Sequence, residues 1–135
     1  MKGIADTGFL IAFVNRNDEH HSWAKSVVQQ IETPLITCEP VLAETAFHLE
    51  SVPLVLELVQ VGLITLAFDC AEHLSAMTAL AERFADRKPD LADICLIRMS
   101  ELHPKHVVVT VDESDFRVYR RNKRETIPLI CPSRT

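Results

Sequence analysis

Residues 106–112 read HVVVTVD, a β-branched run closed by an aspartate. Such side chains crowd a helix and suit a pleated strand, and a strand apolar on both faces belongs inside a sheet covered from both sides. This constrains the fold more than any other stretch, because neighbouring parallel strands can be joined only by long crossovers, usually helices.

The rest of the chain offers those crossovers. Ile4 and Ala5 make a short strand running into Asp6, and Phe9–Val14 a brief apolar helix. Trp23, Val27, Val28 and Ile31 recur at spacings of three and four, which predicts an amphipathic helix over His21–Ile31. Leu35–Ile36 reads as a second strand and Thr37 as the N-cap of a helix over CEPVLAETAFHLE, with Pro40 in the first turn, where a missing N–H costs little. Pro53–Val61 reads as a helix ended by Gly62, Ile64–Phe68 as a strand, and Ala71–Phe84 as an Ala-rich helix. In KPDLADICLIRMSEL the Pro89-Asp90 pair breaks the chain, and Asp90 caps a helix apolar nearly all round, hence buried. IPLI supplies a last short strand. The alternation predicts one three-layer α/β domain over residues 1–135, with a mainly parallel central sheet flanked by helices.

Composition narrows the function. A chain of 135 residues suits one domain and buries roughly 65–70% of its unfolded surface. It holds no run of about 18 apolar residues and does not open on a basic segment followed by an apolar one, so a cytoplasmic protein outside the membrane is expected. Cys38, Cys70, Cys95 and Cys131 form no C-x-x-C pair, which suggests neither a zinc site nor a disulfide framework. The six histidines are scattered, and surface or capping roles are expected of them. A net charge of −5 argues against gripping nucleic acid with the whole surface. Even so, five of the 14 basic residues (Arg117, Arg120, Arg121, Lys123 and Arg124) crowd one short stretch, which reads as a solvated face or as a patch that steers phosphates.

The acidic residues carry the chemistry. GIADTGFLIAF contains the Asp-Thr-Gly of aspartic proteases, but such a protein would be nearly all β and glycine-rich, whereas this chain has three glycines and several helical segments. In a parallel α/β sheet ligands bind beyond the carboxyl ends of the strands. Asp6 and Asp112 follow two such strands, Asp93 falls in the first turn of the buried helix, and Glu44 flanks the apolar stripe of the helix after Thr37. Each has an ordinary explanation as a turn, cap or surface residue. Together they are costly near apolar stretches unless paired or bound to a cation.

Four segments, IADTGFLIAFVNRNDEHHSWA, TCEPVLAETAFHL, DLADICLIRMSEL and VVVTVDESDF, resemble in order and spacing those of PIN-domain ribonucleases, and among these the VapC toxins of prokaryotic toxin–antitoxin pairs. The resemblance runs from Met1 to about Leu129. It implies that Asp6, Glu44, Asp93 and Asp112 are the catalytic, metal-holding acids, with Thr7 and Thr110 beside them and Asp115 a rival or helper to Asp112. Gly8 stands where many relatives carry serine or another small residue, which removes one possible hydroxyl. Carboxylates without His or Cys suit the hard cations Mg²⁺ and Mn²⁺. The resemblance also implies endonucleolytic hydrolysis of RNA leaving a 3′-hydroxyl and a 5′-phosphate, a cognate antitoxin and a homodimer. The first helices carry more apolar side chains than one face can bury, which suits a partner groove and core packing equally. Two other readings are an inactive PIN-like scaffold that binds RNA or protein, and a receiver-type phosphoacceptor domain. The latter would want paired aspartates after the first strand and a lysine near the last, and IPLI carries none.

Overall fold

The computed structural model describes residues 1–133. Five short strands, β1 (Gly3–Ala5), β2 (Leu35–Thr37), β3 (Ile64–Leu66), β4 (Val107–Val109) and β7 (Leu129–Ile130), form one wholly parallel sheet in the order β3-β2-β1-β4-β7. Ile4 pairs with Ile36 on one side and with Val108 on the other, so β1 is central. From β1 the chain winds outward through β2 and β3, then returns to lay β4 on the other flank of β1. The reversal opens a crevice between the carboxyl ends of β1 and β4, the place where open α/β sheets bind ligands.

Among the described residues seven α-helices surround the sheet: α1 (Thr7–Val14), α2 (His21–Gln30), α3 (Glu39–Leu49), α4 (Val52–Gln60), α5 (Leu74–Arg83), α6 (Leu91–Leu102) and α7 (Glu113–Phe116). The α/β architecture expected from the alternation is present. Helix α6 packs on β1 and β4 and buries Ile94, Leu96, Ile97 and Met99, side chains of the kind that stabilise by about 1.5–3 kcal/mol each when buried. The Asp90 carboxylate accepts from the Asp93 N–H at 2.8 Å, the cap its position predicts. Gly62, at φ +83°, follows α4 in the left-handed region open to glycine.

Several boundaries differ from expectation. Thr37 does not cap α3: it is the last residue of β2, paired with Leu66, and its hydroxyl donates to the Ala5 carbonyl at 2.8 Å, while Cys38 takes the N-cap position without a side-chain bond. The Ala-rich stretch is not one helix. Asp69 accepts from the Ala71 N–H and starts a 3₁₀ turn over Cys70–Glu72, and α5 begins only after His73, whose ring stacks on Phe68. After β4 the basic run folds into a two-stranded hairpin, β5 (Arg120–Arg121) and β6 (Glu125–Thr126), which no periodicity announces.

Candidate metal centre

Asp6 stands at the head of the crevice. Directly after β1, it caps α1, its Oδ1 accepting from the Thr7 N–H at 2.7 Å, while its Oδ2 accepts from the Thr110 hydroxyl at 2.5 Å. The Thr110 oxygen in turn accepts from the Asp112 N–H at 2.9 Å, so one threonine ties the ends of β1 and β4 together. Each Asp6 oxygen thereby has one partner and keeps lone-pair capacity. Asp6 is only 7% exposed, and burial raises its carboxyl to about 6 against the pull of those two bonds.

The other acids converge on it. Asp93, Asp112 and Asp115 each offer a carboxylate oxygen, all within 4.8 Å of one another, and each is half-buried. Burial, with Asp90 next in weight, lifts Asp93 to about 7. Burial also raises Asp112, and a further rise comes from the neighbouring charge of Asp115. Glu44 lies outside that triplet, on α3; burial first, then the charges of Asp90 and Asp6, raise it. Asp90, recognised in the sequence only as a cap, is thus a further charge felt by Asp6, Glu44 and Asp93.

Among the described residues no cation pairs with Asp6, Glu44, Asp93 or Asp112. Asp115 differs. Arg87, in the turn before α6, donates Nη2 and Nε to its Oδ1 at 2.6 and 3.2 Å. Sequence reasoning left Asp112 and Asp115 as rivals; the structure gives Asp115 a resident cation and leaves Asp112 without one. Tyr119 was also missed: its ring is wholly buried and its hydroxyl donates to Asp93 Oδ2 at 3.0 Å. No local pattern signals a contact between side chains 26 residues apart.

The chemistry of the donor set fits a hard divalent cation, being oxygen-only, anionic and uncompensated. A second observation agrees. The Thr7 hydroxyl oxygen, next to Asp6 in the chain, is buried without a hydrogen-bond partner, a rare state outside functional sites. The absent hydroxyl at Gly8 has a packing cause: a Cβ there would lie 2.3 Å from Val111 Cγ2.

The basic run does not act as one patch. Arg121 is the correction, because its side chain is buried rather than available to RNA. It donates to the Ser100 carbonyl and hydroxyl at 2.9 and 3.0 Å, to the Pro104 carbonyl at 3.0 Å and to Glu125 at 3.1 Å, closing the end of α6. Arg120 donates to the carbonyls of Arg117, Val118 and Tyr119, and Arg117 pairs with Glu113. Lys123 and Arg124 are exposed at the hairpin turn.

A parallel α/β domain with carboxylates lacking a resident cation at its switch point carries them where open α/β sheets bind ligands. Comparison with known families makes this specific: the PIN domain model matches residues 4–122, and the chain belongs to the PIN domain family, whose fold is of nuclease type. A comparison with curated proteins finds no match.

Proposed function

We propose that this chain is a divalent-metal-dependent endoribonuclease acting in the cytoplasm, and the toxin component of a toxin–antitoxin pair. The observation that supports it most is the meeting of the Asp93, Asp112 and Asp115 carboxylates within 4.8 Å of one another at the β1–β4 crevice, where Thr110 ties the buried Asp6 to the end of β4 and Glu44 feels the charge of Asp6. Asp6, Asp93 and Asp112 would hold Mg²⁺ or Mn²⁺, with Glu44 at the edge of the set, directly or through water. Such an ion, when bound, orients a phosphodiester, neutralises charge developing in an in-line displacement and acidifies a water. The chain's own part is positioning. Thr110 and the Thr7 N–H hold both Asp6 oxygens, and Arg87 neutralises Asp115 through its Oδ1. Lys123 and Arg124 are the basic residues free to meet RNA phosphates, with Arg117 and Arg120 behind them.

A protein partner has a surface to meet. Phe47, 79% exposed, stands with Val52 and Leu56 on the α3–α4 pair, beside a shallow groove lined in part by Ala43, Ala46 and His48. We assign this face to the antitoxin or to a second copy of the chain. No helix among the described residues is long and apolar enough to cross a membrane.

Incubating the purified protein with structured RNA in Mg²⁺, in Mn²⁺ and in EDTA tests the activity. Cleavage is expected only with metal and should fall at least about a hundredfold in Asp112→Asn. Cleavage that persists in EDTA, or none by folded protein in either metal, would overturn the reading.

A further inference from the structure

We propose that Tyr119 is a positioning residue of the candidate metal centre, holding the Asp93 carboxylate in the cluster against the repulsion of its neighbours. The inference rests on the metal-binding reading above.

Tyr119 is the largest fully buried side chain among the described residues. Its ring meets Phe84 at 5.3 Å and 67° and Phe116 at 5.2 Å and 88°, both edge-on arrangements that aromatic pairs favour. A ring gripped on two sides cannot swing to seek another partner. Its backbone is held as well, the Tyr119 N–H donating to the Asp115 carbonyl at 3.0 Å. A buried phenol hydroxyl needs an acceptor, and the one it meets is the Asp93 carboxylate at 3.0 Å. Tyr119 therefore joins α6, which carries Asp93, to the α7 turn, which carries Asp112 and Asp115.

Charge explains why such a tie matters. Asp90, Asp6 and Asp112 all act on Asp93 as like charges. An aspartate has two side-chain torsions, and a half-buried carboxylate so surrounded is driven toward solvent. The Tyr119 hydroxyl is the one side-chain donor to that carboxylate among the described residues. Because it is neutral, it holds Asp93 without cancelling the negative charge that attracts a cation. The bond also occupies only part of Oδ2, so Asp93 keeps lone-pair capacity for a metal. Residues that orient a ligand in this way typically govern metal affinity by about 10–100-fold.

Tyr119→Phe removes the hydroxyl and keeps the ring. Mn²⁺ affinity is read by calorimetric titration of the full chain, and the melting temperature is read separately in EDTA. Phe116→Leu serves as the packing control, since it loosens the same aromatic cluster without touching Asp93. Tyr119→Phe should bind Mn²⁺ about 10–100-fold more weakly while melting within a few degrees of wild type. Phe116→Leu should melt lower yet keep its Mn²⁺ affinity within about threefold. Wild-type affinity in Tyr119→Phe overturns the proposal, as does equal loss in both variants, which would make the role one of packing. Collapse of Tyr119→Phe in EDTA overturns it too, since the hydroxyl would then be holding the chain together. Failure of the wild type to bind Mn²⁺ is a different result and removes the metal reading itself.

Discussion

Replacing Asp6 by asparagine in the metal-free protein should stabilise it increasingly as pH rises. Burial raises the Asp6 carboxyl from 3.8 to about 6, so the folded chain retains a proton that the unfolded chain has lost between those values. The stability Asp6 contributes is fully present below pH of about 4 and is lost as pH climbs through about 6. A shift of about two units corresponds to about 3 kcal/mol, and for a domain of this size each kcal/mol moves the melting temperature by about 3–5 °C. Wild type should therefore lose about 10 °C relative to Asp6→Asn between pH of about 4 and 7. Asparagine has one side-chain acceptor where Asp6 accepts from both Thr7 and Thr110, so the variant also gives up about one hydrogen bond, about 1 kcal/mol, at every pH. The variant should then start level with wild type or slightly below it and finish well above. Calorimetric melting of both proteins in EDTA at matched ionic strength measures the difference directly. A difference constant to within about 2 °C over that range would refute the reasoning, because Asp6 would then ionise as readily folded as unfolded.

Arg121→Ala should lower stability by about 3 kcal/mol, through the lost charged bonds to Ser100, Pro104 and Glu125, and melting temperature will show it. Lys123→Ala with Arg124→Ala should leave melting unchanged and flatten the salt dependence of RNA binding by up to about 1.4 units of slope, at about 0.7 per contact. Gly8→Ser should destabilise by about 1–3 kcal/mol through collision with Val111, and Val111→Ala in the same chain should restore at least half of the loss.

Periodic features were legible before the structure was known. The β-branched run of β4, the all-round apolar character of α6 and the Asp90 cap each follow from neighbours in sequence, and each stands where it was expected. Parallel topology then placed Asp6 and Asp112 at one sheet edge. What escaped depends on groups meeting across the fold. The Arg87–Asp115 pair and the Tyr119–Asp93 bond join residues 28 and 26 positions apart across α6 and β4, and no local pattern announces either meeting. Arg121 misled for a related reason. Arginine in a basic run is usually solvated, and only the end of α6, with carbonyls lacking partners, explains why this one turns inward. Thr37 is ambiguous in principle, since a threonine before a helical segment serves equally as a cap or as a strand end.

The bond between Thr110 and Asp6 spans 104 positions. At roughly 5–20 residues per second of synthesis, the ribosome needs roughly 5–20 s after making Asp6 before Thr110 exists to hold it. Until β4 emerges, Asp6 lacks the threonine that fixes it and Asp112 has not been translated. For a chain with the proposed activity, an unfinished copy would lack both the threonine that fixes Asp6 and one of the acids proposed to hold the metal, so the set is complete only after the codon for Asp112 has been read.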